Sequence, residues 1–454
     1  MALPPDRRHG TAVPTGRFAR LARFGGLASG VAGGMLVDGA RQFAAGKRPN
    51  VGDLLLTPAN AMRVTAQLAQ LRGAAMKMGQ LLSMDAGELL PRELTDILAR
   101  LRADADHMPP GQLNTVLGQA WGRDWRRQFA EFGQRPIAAA SIGQVHRART
   151  RDGRDLAIKI QYPGVARSID SDVDNVTALL RVSGLVPKKI DVAPLLAEAK
   201  RQLHDEADYA REGAYLARFK TLLADRPEFV VPDSHADLTR PTILAMDFVT
   251  GVPVESLVDA PQAERDRVVT LLLELVLREL FEFGLMQTDP NFANYLYDPA
   301  TRRIALLDFG AAREIAPETA AGYARLLNAA LDGDLDRARE VAAAAGFINA
   351  DAPRWRQEKV IAMLDRGLAP LRGDAMFDFG ARDMLAEMRA EGVELAADRS
   401  QWFLPPVDTL FIQRKIGGMY LLATRLRARV NVRTLFERYL PADVQLPTPA
   451  AAVI

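Results

Sequence analysis

Cysteine is absent from all 454 residues. Its absence excludes disulfides, thiolate metal sites and a cysteine nucleophile, and it fits a reducing compartment. Histidine is scarce too: five residues, scattered singly, with no paired-ligand spacing, which argues against a zinc enzyme. No run of 18 apolar residues avoids charge, so no segment reads as a membrane-spanning helix. An excess of one charge is missing as well. The 58 basic and 56 acidic residues leave a net charge of +2, whereas a bulk nucleic-acid binder shows a basic surplus. The N-terminus does not read as a secretory leader. These absences together make a cytoplasmic location, with no nucleic acid as partner, the expectation.

Apolar residues make up 48 % of the chain, enough for a substantial interior, and the length suggests two or three packed units. Residues 1–50 are rich in Gly, Ala, Arg and Pro and lack an apolar period, so they read as a flexible basic region. Within it, Gly25 to Val37 is flanked by Arg17, Arg20 and Arg23 on one side and Arg41, Lys47 and Arg48 on the other. A membrane-surface contact, at the inner face, is the alternative reading of that stretch. Residues 51–132 read as a helical extension. Leu68, Leu71, Ala75 and Leu82 lie near helical spacing, and a short helix follows Pro109-Pro110 to about Phe132.

The texture then changes. Ile137 to Arg149, Asp155 to Gln161 and Thr242 to Phe248 have strand character, with a turn at Arg151-Asp152-Gly153-Arg154. One charged helix is expected over about Pro194 to Leu223, a long buried helix over Glu264 to Phe283 ending at Gly284, and a strand over Arg303 to Asp308. A strand-rich unit at 133–250 followed by a helical unit at 251–454 is a two-lobed α+β plan, in which a cleft is a natural ligand site.

Two segments carry the clearest chemistry. Gln287-Thr288-Asp289-Pro290-Asn291-Phe292-Ala293-Asn294 is followed by Leu307-Asp308-Phe309-Gly310. The order Asp, then Asn, then a strand ending in Asp-Phe-Gly is that of a kinase catalytic loop and its metal-binding strand end. A triphosphate needs Mg²⁺, and Mg²⁺ takes few protein oxygens while keeping several waters. Asn294 and Asp308 supply one amide oxygen and one carboxylate. Asp289 is then left to accept a hydroxyl proton or position a water. The plain alternative is that Asp289 and Asn294 cap a turn.

Upstream, Leu156-Ala157-Ile158-Lys159 reads as a strand with an inward lysine for nucleotide phosphates, its plain alternative being a solvated strand end. Glu212 or Glu206 is its expected helix partner. Before that lysine, where a kinase carries three glycines, stand Ala138-Ala139-Ala140-Ser141-Ile142-Gly143-Gln144. Each Cβ there restricts φ and crowds the amides that would cradle phosphate. Lys77-Met78-Gly79-Gln80 sits within the expected extension, where a mid-helix glycine costs about 1 kcal/mol and invites a reason.

Together these residues resemble the UbiB/AarF family of atypical protein-kinase-like proteins, the coenzyme Q biosynthesis kinase group. The likeness spans roughly Leu68 to Asn431 and takes in a late run, Arg414-Lys415-Ile416-Gly417-Gly418. The resemblance implies a protein-kinase-like fold whose N-terminal helical extension packs over the active-site cleft. It implies that Lys77 and Gln80 point into that site as catalytic and regulatory groups, that Glu206 and Asp208 meet Lys77, and that Glu212 pairs with Lys159. Nucleotide contacts would fall on Ala138, Ala139, Ala140, Ser141, Gly143, Gln144 and Lys159, with Met246, Phe248 and Val249 facing the base. The implied cofactors are ATP or ADP with Mg²⁺, and the implied partners are a membrane surface and quinone-biosynthesis intermediates or enzymes. The activity expected is ATP hydrolysis or phosphoryl transfer in support of ubiquinone biosynthesis. The alternative is a nucleotide-gated lipid-binding or scaffolding module. Gln287 and Thr288 stand where kinases carry His-Arg, and no Ala-Pro-Glu follows Asp308-Phe309-Gly310, so action on protein substrates is not expected.

Overall fold

The computed structural model describes residues 107–140, 142–183, 193–381, 391–392, 394–395, 403 and 405–441. Lys77, Gln80 and the rest of the expected extension before residue 107 lie outside the described residues, as do residues 1–50 and Ser141. The chain divides into two compact units, Met1–Lys220 with Pro232–Val249, and Thr221–Val231 with Thr250–Ile454.

In the first unit, α1 (Pro110–Trp121) starts with proline in its first turn, where the missing N–H has no partner to lose. The helix expected to reach Phe132 stops sooner. Gly122 adopts φ 89°, which L side chains resist, and its N–H caps the Gly118 carbonyl. A single 3₁₀ turn then leads into β1 (Phe129–Phe132). The strands β2 (Ala138–Ala140), β3 (Gly143–Thr150) and β4 (Asp155–Gln161) follow. The turn between β3 and β4 places Gly153 at φ 94°. The sheet order is β1-β3-β4-β6, with β2 paired on β3, where β5 (Phe229–Val230) belongs to the second unit and β6 is Ile243–Asp247.

Between β4 and β6 run α2 (Val165–Ser183), α3 (Ala193–Glu206) and α4 (Tyr209–Leu222). The single charged helix expected from Pro194 is thus two. Asp208 breaks it: its carboxylate accepts from the Ala210 and Arg211 amides at 3.1 and 3.0 Å, as an N-cap does.

The second unit holds β7 (Val252–Pro253) and α5 (Gln262–Arg278), which runs on into one π turn, Glu279–Phe283, and closes at Gly284 with φ 56°. After it come β8 (Leu285–Gln287), β9 (Tyr295–Asp298), β10 (Arg303–Leu306) and β11 (Ala312–Glu314). They form a sheet of order β5-β10-β9-β7 and a separate β11-β8 pair. The segment around β5 is fastened to this unit by parallel pairing with β10 and by the Arg226 guanidinium on the Glu274 carboxylate. The helices α6 (Pro317–Leu331), α7 (Leu335–Ala344) and α8 (Arg354–Leu368) close around Leu326, Ala329, Ala338, Ile348 and Ile361. Next come β12 (Phe377–Asp378), α9 (Val407–Arg425), β13 (Arg429–Val430) and α10 (Val432–Tyr439), and both α9 and α10 pack on α5. Among the described residues no helix is long and apolar enough to cross a membrane.

Candidate functional site

In the first unit the alanine-rich segment is a tight hairpin, with Ala138 opposite Val145, Ala139 opposite Gln144 and Ala140 opposite Gly143. Ala138 and Ala139 are exposed and Ala140 half-buried. Gly143 tolerates no side chain, because a Cβ would drive into the Ile160 backbone and reach within 3.0 Å of the Tyr209 hydroxyl. Gln144 turns its side chain inward. Its Oε1 accepts from the Met108 amide at 2.7 Å, and its Nε2 lies 2.7 Å from His146 Nε2. His146 Nδ1 in turn sits 2.6 Å from the Gly133 carbonyl, which can only accept, so the ring carries its proton on Nδ1 and Gln144 donates to Nε2. The Gln144 amide expected at the nucleotide is thereby engaged inside the unit.

Lys159 lies on β4, opposite Val145 of β3 and Leu244 of β6. Its ammonium meets both carboxylate oxygens of Glu212 at 2.9 Å, with both side chains almost fully buried. Of the two carboxylates left open as its partner, Glu212 on α4 makes the pair. The Tyr209 ring lies 5.2 Å from the same ammonium. Glu206 is buried near the end of α3, whereas Asp208 is exposed and spends one carboxylate oxygen on the start of α4. Met246 is buried on β6, and Phe248 carries the Arg147 guanidinium 4.1 Å over its ring. Val249 is the last residue before the chain passes into the second unit.

In the second unit two backbone ties bring the other expected residues together. β8 pairs with β11, setting Gln287 against Ala312, and Thr288 donates from its amide and its hydroxyl to the Ala311 carbonyl at 3.3 and 2.9 Å. The segment before Asp289 is thus fixed to the segment after Asp308-Phe309-Gly310. Asn294 accepts from the Leu307 amide at 3.0 Å, which sets it beside Asp308. The Asp308 carboxylate accepts from the Gly310 amide at 3.0 Å. Asn294 and Asp308 line one cavity with Glu279, Gln287, Tyr295 and Lys415.

The donor set fits Mg²⁺. The Asn294 amide nitrogen is buried without a hydrogen-bond partner among the described residues, so no protein acceptor fixes which way that amide turns in the cavity it lines. Among the described residues no three His, Asp or Glu gather as they would for an all-protein metal cage. One carboxylate and one amide oxygen, with waters and substrate phosphates completing the shell, is the usual arrangement for this ion.

The cavity also shows what sequence reasoning missed. Lys415, on α9, is fully buried and reaches the Tyr295 hydroxyl at 2.8 Å, Gln287 Oε1 at 3.3 Å and the Glu279 carboxylate at 3.5 Å. Burial pushes the Glu279 carboxyl up. Burial also works to lower the Lys415 ammonium, but Glu279 and Tyr295 more than offset it, and the lysine stays charged. Its neighbour Arg414 reaches Asp289 Oδ1 at 3.3 Å. The hint in the sequence was two adjacent cations set beside apolar residues, Leu410-Phe411-Ile412-Gln413-Arg414-Lys415-Ile416.

Residues 100–342 match the family model described as the ABC1 atypical kinase-like domain. The chain is 38 % identical to the atypical kinase COQ8B, mitochondrial, of Rattus norvegicus, covering 98 % of this chain and 85 % of that protein. It is 36 % identical to the atypical kinase COQ8, mitochondrial, of Saccharomyces cerevisiae, covering 95 % of this chain and 86 % of the relative. Among solved structures, Rv3197 of Mycobacterium tuberculosis in its erythromycin complex aligns with a TM-score of 0.58 at 26 % identity, over 84 % of this chain and 95 % of that one.

Proposed function

The chain belongs to the ABC1 atypical kinase-like family and has its α+β protein-kinase-like fold, and from that premise we propose that it is a Mg²⁺-dependent ATPase or phosphotransferase supporting ubiquinone biosynthesis. The observation that carries this reading is the pairing of Asn294 with Asp308 through the Leu307 amide, on a loop that also presents Asp289. Asn294 and Asp308 would hold Mg²⁺, which supplies charge neutralisation on the phosphates. Lys159, oriented by Glu212, takes phosphate oxygens. Asp289 accepts the proton of the attacking hydroxyl or water. The backbone of the alanine-rich hairpin and of Met246 to Val249 contacts the nucleotide, and the Gln144 side chain is left out of that set. Lys77 joins Asp289 and Lys159 in the catalytic set, and Gln80, Glu206, Asp208 and Glu212 form the structural and regulatory group.

The phosphoryl acceptor is water or a small molecule rather than a docked peptide. The run from Asp308 to the first turn of α6 at Pro317 is taken up by the Ala311 tie and by β11, leaving little chain to shape a peptide platform. On this reading the partners are a membrane surface and quinone-pathway intermediates or enzymes.

ATP turnover by the full chain, measured with and without phospholipid vesicles, tests the reading. Asp289→Asn should bind Mg-nucleotide as the parent does and lose turnover by about a hundredfold or more. A parent protein without turnover under either condition, or an Asp289→Asn variant as fast as the parent, refutes it.

A further inference from the structure

Three successive contacts join α9 to the loop that carries Asp289. Lys415 reaches Gln287, Arg414 reaches Asp289, and Gly418 faces Pro290 so closely that an added Cβ would come within 2.9 Å of the proline Cγ. Arg414, Lys415 and Gly418 therefore lie against the loop from one face of α9.

The two adjacent cations are repaid unequally. Burying a guanidinium or ammonium costs several kcal/mol, and a paired anion with further hydrogen bonds must offset it. Lys415 has Glu279, the Tyr295 hydroxyl and Gln287. Arg414, with its side chain 1 % exposed, has one Nη2 contact of 3.3 Å to Asp289, while its Nε and Nη1 are buried without a hydrogen-bond partner among the described residues. Packing alone would favour an apolar side chain there, since each unsatisfied charged donor is a cost. What the guanidinium does have is a geometric hold on the carboxylate that the proposed chemistry uses as proton acceptor.

We propose that Arg414 is a positioning residue, holding the Asp289 carboxylate and with it the Gln287–Asn294 loop from the side of α9, with Lys415 and Gly418 as the fixed base of that hold. The inference deepens the proposed function and rests on it. Near-attack geometry is sensitive: a displacement of about 1 Å can cost a hundredfold in rate.

The test pairs a structural readout with a kinetic one, on the full chain. Hydrogen–deuterium exchange of peptides spanning Gln287 to Asn294 is compared in the parent, Arg414→Gln, Arg414→Lys and Asp289→Asn proteins. Arg414→Gln should speed exchange in that loop by about tenfold while β3 and β4 keep the parent's rates, and Arg414→Lys should fall between. In the same proteins kcat should drop by about ten- to a hundredfold in Arg414→Gln with KM for ATP within about twofold, and lysine should restore part of it. If Arg414→Gln does not fold, Arg414→Lys and Asp289→Asn decide by the same exchange measurement. Loop exchange equal to the parent's in the folded variants overturns the proposal, as does a loosened loop with kcat intact. A parent that binds no Mg-nucleotide sinks the proposed function instead, and the exchange comparison still decides whether Arg414 holds the loop.

Discussion

The Lys159 ammonium sits 2.9 Å from both oxygens of the Glu212 carboxylate, and neither side chain is more than 5 % exposed. A lysine on β4 is thereby locked to a glutamate on α4. Removing one partner takes its bidentate counter-ion from the other, which stays buried, and that costs about 3–5 kcal/mol. Glu212→Ala should lower the urea midpoint accordingly and weaken ATP binding. The double change Lys159→Met with Glu212→Leu should recover most of the stability, because apolar packing replaces a buried pair at little net cost. It should recover none of the nucleotide affinity. Regained affinity in the double variant would show that the pair is only structural.

Gly417 and Gly418 are neighbours on α9 with opposite surroundings. A Cβ at Gly417 meets nothing within 4 Å, whereas one at Gly418 runs into Pro290. Gly417→Ala should therefore stabilise by about 1 kcal/mol, the usual gain of alanine over glycine inside a helix. Gly418→Ala should destabilise by about 1–3 kcal/mol through overpacking, and should slow turnover because Pro290 follows Asp289. Thermal unfolding of the two variants side by side checks the contrast.

His146 makes the first unit sensitive to acid. Burial lowers its pKa, the Gly133 carbonyl acts the other way, and His107 adds to the lowering. The folded state therefore holds the ring neutral while the unfolded chain protonates it near the ordinary histidine value. A folded pKa below the unfolded one gives stability that is complete above the unfolded value and is lost as the pH falls through it. Protonated Nε2 would also point a proton at the Gln144 amide donor. The urea midpoint should fall as the pH drops below about 6.5, and His146→Gln should flatten that dependence. A parallel pH dependence in the variant would assign the effect to other groups.

Much of this was legible from local pattern. The strand pair around Arg151-Asp152-Gly153-Arg154 has its turn and alternation within a few residues, and the order Asp289, Asn294, Asp308 is a chemical pattern that survives without neighbours. The break at Asp208 was not legible, because an aspartate within a charged helical run reads the same whether its carboxylate caps a new helix or faces solvent. The helix Val165–Ser183 carries Ser168, Asp170, Ser171, Asp172 and Asp174, which favour turns, yet Val165, Ile169 and Val173 recur at four-residue spacing and are buried. Tertiary packing overrides propensity there. Arg414 and Lys415 lie more than a hundred residues beyond the loop they touch, so only the fold could bring them to Gln287 and Asp289. The same holds for Gln144, whose partner Met108 belongs to a distant segment.

The central claim, that Asn294 and Asp308 bind nucleotide through Mg²⁺, is tested most directly by thermal unfolding of the parent and Asp308→Ala proteins with ATP, each with and without Mg²⁺. The parent should rise by about 5 °C or more with saturating Mg-ATP and far less with ATP and chelator, and the variant should lose the Mg²⁺-dependent part. A parent whose midpoint moves equally with and without Mg²⁺, or not at all, contradicts the account.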